Sequence, residues 1–129
     1  MDQVKLVLKE VIIDHDTLVF HLLIKNHSLL SYTPSYVRFL VRDRHVAART
    51  ATQEHEIYPL VKQRLVPLLA KSNIELNYEL FHFTIPKSQE LVIAMKEKNG
   101  SRDLMLHIKG SRLFKMIKEQ VTDISNLSQ

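Results

Sequence analysis

Residues Tyr36 to Leu60 read YVRFLVRDRHVAARTATQEHEIYPL, a charged segment threaded through a β-strand alternation. Val37, Phe39 and Val41 recur at every second position and face a core, which turns Arg38 and Arg42 to the opposite side. Asp43 and Arg44 end the alternation. The polar string Arg49-Thr50-Ala51-Thr52-Gln53-Glu54 then precedes Ile57, Pro59 and Leu60 and has no evident packing purpose. Period-two apolar patterning is the mark of a strand with one buried face, so this stretch sets the expectation of an all-β fold.

The flanking sequence keeps that period. Val4, Leu6, Leu8 and Ile12 share one face of a first strand, with Lys5 and Lys9 on the other, before an Asp14-His15-Asp16 turn. Leu18, Phe20, Leu22 and Ile24 line a second strand, which ends where the turn formers Asn26, His27 and Ser28 take over. Ile74, Leu76, Tyr78 and Leu80 alternate and then give way to Phe81, Phe83 and Ile85. That one-residue shift predicts a β-bulge or a sheet-switching bend at Leu80 and Phe81. Leu91, Ile93 and Met95 pair across Asn99-Gly100 with Leu104, Leu106 and Ile108 as a hairpin. Only Ser111 to Val121 reads as a helix, with Ser111 as N-cap and Leu113, Phe114, Ile117 and Val121 near helical spacing, ahead of a frayed Ser125 to Gln129. Residues 47–71 fit strands or short helices equally, and Pro59 and Pro67 restrict any strand there to an edge.

About seven strands at this spacing predict an immunoglobulin-like antiparallel β-sandwich with a short C-terminal helix, forming a single domain over residues 1–129. The chain has no Cys and no Trp, so the likeness is to the two-sheet architecture and not to an antibody core. A chain of 129 residues buries roughly two-thirds of its unfolded surface, enough for one core without staples.

Composition removes most chemistries. Zero cysteines exclude disulfides and thiolate metal sites. Charged residues interrupt every apolar run well short of the roughly 18 to 20 residues a membrane-spanning helix needs. The only glycines are Gly100 and Gly110, so a P-loop, a GxGxxG turn and a GxSxG elbow are all absent. The histidines, His15, His21, His27, His45, His55, His82 and His107, show neither HxH nor HExxH spacing, and neither metal nor cofactor is expected. Asp14 and Asp16 flank His15, and Glu54 and Glu56 flank His55. Neighbours on a strand point to opposite faces, so neither triplet is expected to converge on a substrate, and no catalytic residue is assigned.

A formal charge of +4 is too small to imply nucleic acid by itself. Arg38, Arg42, Arg44, Arg49 and Lys62 make the densest basic stretch, either a patch for an acidic partner or phosphates, or a strand edge kept soluble by charge. Tyr36 and Phe39 are the only aromatics interleaved with Arg38, Arg42 and Arg44, fewer than a single-strand binding platform needs, which favours protein contact over nucleic acid. Within it, Arg42, Asp43, Arg49, Gln53 and Glu54 have two readings: an internal network locking the corner between two strands, or a partner-binding surface. Arginine suits either, because its planar fork satisfies both oxygens of a carboxylate. Strand edges near Tyr36 to Arg42 or Val61 to Leu69 are expected to accept a neighbour.

In order and spacing, Arg38-Phe39-x-x-Arg42-Asp43, then Arg49-Thr50-Ala51-x-Gln53-Glu54, then Pro59-Leu60, the segment resembles the TraN family of conjugative-transposon proteins from Bacteroidetes. Phe83-Thr84-Ile85-Pro86, Leu91, Lys98-Asn99-Gly100, Arg102, Leu104 and Leu106 are similar to the family's C-terminal hairpin. Together these matches span about Asp16 to Lys109. The resemblance implies the C-terminal domain of a longer exported protein, and the opening MDQVKLVLKEVII reads as a strand and not as a signal peptide. It further implies a structural subunit of a conjugative, type IV secretion-like apparatus, periplasmic or outer-membrane associated, whose partners are other subunits of that machine. A nucleic-acid or glycan-binding module is the alternative expectation, and an enzyme the third.

Overall fold

The computed structural model describes residues 3–44 and 53–119. Among these, eight strands and one helix follow in chain order: β1 (Val4–Asp14), β2 (Thr17–Asn26), β3 (Pro34–Asp43), β4 (Glu54–Ile57), β5 (Ser72–Phe81), β6 (Gln89–Glu97), β7 (Leu104–Lys109), α1 (Gly110–Met116) and β8 (Ile117–Glu119). They form two four-stranded sheets, β5-β2-β1-β8 and β4-β3-β6-β7. Splitting β2 with β5 from β3 with β6 and β7 is the immunoglobulin-like arrangement.

Facing side chains of the two sheets make the core. Leu18, Phe20, Leu22 and Ile24 of β2 are fully buried against Phe39 and Val41 of β3 and Leu91, Ile93 and Met95 of β6. Phe39 meets Phe20 and Tyr78 edge-on, each at 5.4 Å between centroids. Such contacts contribute about 0.5 to 1.5 kcal/mol apiece beyond their buried area. The hairpin register is the one its apolar residues foretell: Met95 opposes Leu104, Ile93 opposes Leu106 and Leu91 opposes Ile108. Its turn is longer than a two-residue loop, running from Lys98 to Asp103. Asn99 takes the left-handed conformation at φ 54°, and a Cβ on Gly100 would collide with the Glu97 carboxylate.

Several expectations are corrected. β1 carries a register shift between Leu8 and Glu10, which leaves Lys9 as the extra residue. The bulge flips the parity beyond it, so Val11 is fully buried and Ile13 packs on the core, while Ile12 turns outward opposite Val19. Of the bulge or sheet-switching bend expected at Leu80 and Phe81, the bulge is absent, because β5 pairs with β2 without a shift from Ser72 to Phe81, and the change of sheet is present. The chain leaves the first sheet there and crosses to the second. Phe83 and Ile85 pack on the core from that crossing, Phe83 stacked 6.3 Å from Phe20.

The helix is also shorter than its periodicity suggests. Lys109 holds the N-cap position without a side-chain bond, Ser111 lies inside the first turn, and Phe114 is exposed. Ile117 reaches the core by extending into β8, which pairs parallel to β1 through Val11, Ile12 and Ile13. Tertiary pairing thus overrides helical spacing, adding an eighth strand and one parallel ladder to an otherwise antiparallel sandwich. Val121 lies outside the described residues. No helix among those described is long and apolar enough to cross a membrane.

Candidate functional site

β3 sends Arg38, Leu40 and Arg42 to the outer face of the second sheet. Register places Glu56 and Glu54 of β4 beside Leu40 and Arg42, and Ala94, Val92 and Glu90 of β6 beside Arg38, Leu40 and Arg42. Leu40 and Val92 are buried although they lie outside the central core. Charged side chains shield this apolar floor. Arg38 donates to Glu56 Oε1 from Nη2 at 2.7 Å and from Nε at 3.1 Å, and its guanidinium stands 5.7 Å from the Tyr36 ring centroid. Glu90 Oε2 lies 3.9 Å from Arg42 Nε and 3.0 Å from His107 Nδ1, bridging β3 and β7 through β6.

Asp43 closes the corner. It exchanges bonds with Gln53, giving its backbone N–H to the Gln53 carbonyl at 3.2 Å and accepting the Gln53 N–H at Oδ2 at 3.0 Å. Gln89 Nε2 donates to Oδ1 at 3.2 Å, so one carboxylate ties the ends of the β3–β4 connection to the start of β6. The Gln53 backbone bond, followed by that of Gln89, holds the Asp43 carboxyl below its ordinary pKa.

The sequence network therefore divides in three. Asp43 and Gln53 lock the corner, with Gln53 acting through its backbone. Arg42 reaches Glu90, and Arg38 reaches Glu56. Glu54 is exposed opposite Arg42, and among the described residues no ion pair joins them. Arg49 lies outside the described residues. Gln89 and Glu90 are not singled out from sequence, and Glu56 and His107 enter there only beside His55 and as a metal ligand, respectively, because the contacts of all four depend on the β4 and β6 registers. The Asp14–His15 pair does meet, at 2.8 Å, since both residues sit at the β1–β2 turn and not along a strand. Among the described residues, no three His, Asp or Glu side chains gather as a metal site.

A second polar cluster packs the opposite end. Asn26 and Ser28, which read in sequence only as turn formers, are its buried polar residues. Arg102 donates to Glu97 Oε2 from Nε at 3.0 Å, to Ser28 Oγ from Nη1 at 3.2 Å and to the Ser31 carbonyl from Nη2 at 2.6 Å. Its guanidinium lies 5.3 Å from the Tyr32 ring centroid, and the Tyr32 hydroxyl donates to the Arg102 carbonyl at 2.8 Å. Burial pushes the Tyr32 hydroxyl up to about 12. These bonds fix loops to one another; they leave no activated nucleophile.

The longest edge strand lies outside both expected stretches. Over Phe39 to Arg42, β3 is paired on both sides, Tyr36 to Arg38 pair with β6 alone among the described residues, and Val61 to Leu69 is irregular except for a bridge from Leu68 to Tyr32. β5 instead borders the first sheet, and its one backbone bond from outside β2 among the described residues is Leu60 N–H to the Glu79 carbonyl. Within a strand, alternate residues aim both backbone groups at the same side. Glu79 thus marks Asn73, Glu75 and Asn77 as outward-pointing too, a row of donors and acceptors without backbone partners among the described residues.

Fold and site together define an immunoglobulin-like β-sandwich with an ion-paired outer face and, among the described residues, a long strand edge at β5. The chain belongs to the family described as Domain of unknown function (DUF4138), whose model matches residues 1–118. Among solved structures it is similar to Spo0M, a sporulation control protein from Bacillus subtilis, with a TM-score of 0.55 at 11% sequence identity. That match covers 97% of this chain and 55% of the other, so the present chain spans about half of the protein it resembles. The likeness is one of fold. No curated protein sequence matches the chain.

Proposed function

We propose that this domain is a non-enzymatic assembly module that joins its neighbours by strand addition, and that the assembly is the cell-envelope apparatus of conjugative transfer. The observation that carries the contact mode is the open edge of β5, where Asn73, Glu75 and Asn77 present backbone groups that a partner strand can pair. Glu75 and Glu79 on this edge are the kind of charge that discourages indiscriminate pairing. The apparatus itself is proposed from the TraN-like motifs. Pairing of Arg38 with Glu56 and of Arg42 with Glu90 lowers the appeal of a phosphate-binding patch, since these arginines already have carboxylate partners. The periplasm or the outer membrane is the proposed location.

A photo-crosslinking residue at position 77 of the protein in donor cells tests this reading. The expected product is a covalent adduct with another subunit of the transfer apparatus, identified by mass spectrometry, and absent with the crosslinker at Met105 on the other sheet. Adducts to DNA, or none above the Met105 control, would contradict it.

A further inference from the structure

At the end of the sandwich opposite Asp43, three leucines stand in solvent: Leu29 is 82% exposed, Leu30 68% and Leu69 67%. They come from two loops, and the fully buried Asn26 fastens both. Its Nδ2 lies 2.9 Å from the Leu30 carbonyl and 3.2 Å from each of the Leu68 and Leu69 carbonyls. Ser28 adds a 2.6 Å bond to Asn26 Oδ1. The leucines are thus held outward on a braced surface, and little ordering remains to oppose a contact.

Cations lie at the same end. Lys5 and Lys25 are cross-strand neighbours one row in, Lys71 donates to the His27 carbonyl at 2.8 Å, and the Lys98 N–H bonds the Thr33 carbonyl on the far side of the same end. Arg102 reaches Ser31 there. Glu97 balances Arg102, and Asp103, which accepts the Glu97 N–H, is the carboxylate at this end without a cation partner among the described residues, so the lysines leave a positive surplus. Exposed aliphatic loops beside Lys71, with further lysines at the same end, match an anionic, apolar surface. A second copy does not fit, because a self-complementary contact would bring like charges together.

We propose that this end of the domain is a peripheral contact for an anionic lipid surface, with Leu29, Leu30 and Leu69 entering the headgroup boundary and the lysines meeting lipid phosphates. The β5 edge takes no part in it, so it stands or falls apart from the assembly reading.

Co-sedimentation of the 129-residue chain with vesicles of phosphatidylcholine plus phosphatidylglycerol, against phosphatidylcholine alone, tests the proposal. The expected result is about tenfold stronger association with the anionic vesicles, weakened by salt. The double variant Leu29→Ser/Leu30→Ser should lose at least about tenfold of that association with its melting temperature kept, since both side chains are exposed. Lys5→Glu/Lys98→Glu should erase the preference for anionic lipid. The idea is overturned if the wild-type chain stays in the supernatant with both vesicle types, as a protein partner for the leucines would produce. Unchanged binding by the leucine variant would overturn it equally.

Discussion

Arg102 and Glu97 form the most buried ion pair among the described residues, with side chains 13% and 11% exposed. The pair joins the β6–β7 turn to the β2–β3 loop, because the same guanidinium also reaches Ser28 and Ser31. Its hydrogen bond to Arg102, the largest influence, holds the Glu97 carboxyl below its ordinary pKa. Removing one partner leaves the other charge half-sequestered. Arg102→Ala should therefore lower unfolding stability by about 3 kcal/mol in urea denaturation. Arg102→Lys should recover part of it, because an ammonium cannot make the same fork of bonds.

Acid should destabilise the domain through named groups. Glu97 is lowered by Arg102, Asp43 by the Gln53 backbone and Glu75 by its hydrogen bond from Lys9. A carboxylate with a depressed folded pKa contributes stability above its unfolded value, about 4, and that contribution disappears as pH falls through the lower folded value. Melting temperature should hold from neutral pH down to about 4 and fall steeply below it. In Glu97→Gln, the acid limb should be shallower, as followed by circular dichroism across the pH series.

The β1 bulge gives a paired test. Val11 is fully buried and Ile12 faces outward, the reverse of the uninterrupted alternation. Val11→Ala should cost about 2 kcal/mol, and Ile12→Ala less than about 1, measured as midpoint shifts in denaturant. Equal costs, or a larger one at Ile12, would place the bulge elsewhere.

These residues show where sequence was informative. Leu18, Phe20, Leu22 and Ile24 alternate without interruption and all reach the core, and the pairs of the β6–β7 hairpin follow from apolar spacing around a local turn. Local periodicity carries no record of an inserted residue, however. Lys9 looked like one more outward lysine, and the parity change after Leu80 fitted a bulge as well as the change of sheet that the structure has. The site was legible in its β3 half, since Arg38, Arg42 and Asp43 follow from one strand's alternation. Glu56, Glu90 and Gln89 complete it from two other strands whose registers are set by long-range packing. Likewise Asn26 offered only turn chemistry, while its bonds to Leu68 and Leu69 reach 42 and 43 residues along the chain.

Strand addition at β5 is tested most directly by Asn77→Pro. Position 77 points its N–H away from β2, and proline is tolerated on a strand edge whose N–H faces solvent. With the variant protein in donor cells at wild-type abundance, transfer frequency is the measurement. The account predicts a fall of at least about tenfold, corresponding to roughly 1.4 kcal/mol of lost contact, with the isolated domain melting within a few degrees of wild type. Transfer at the wild-type frequency would contradict it.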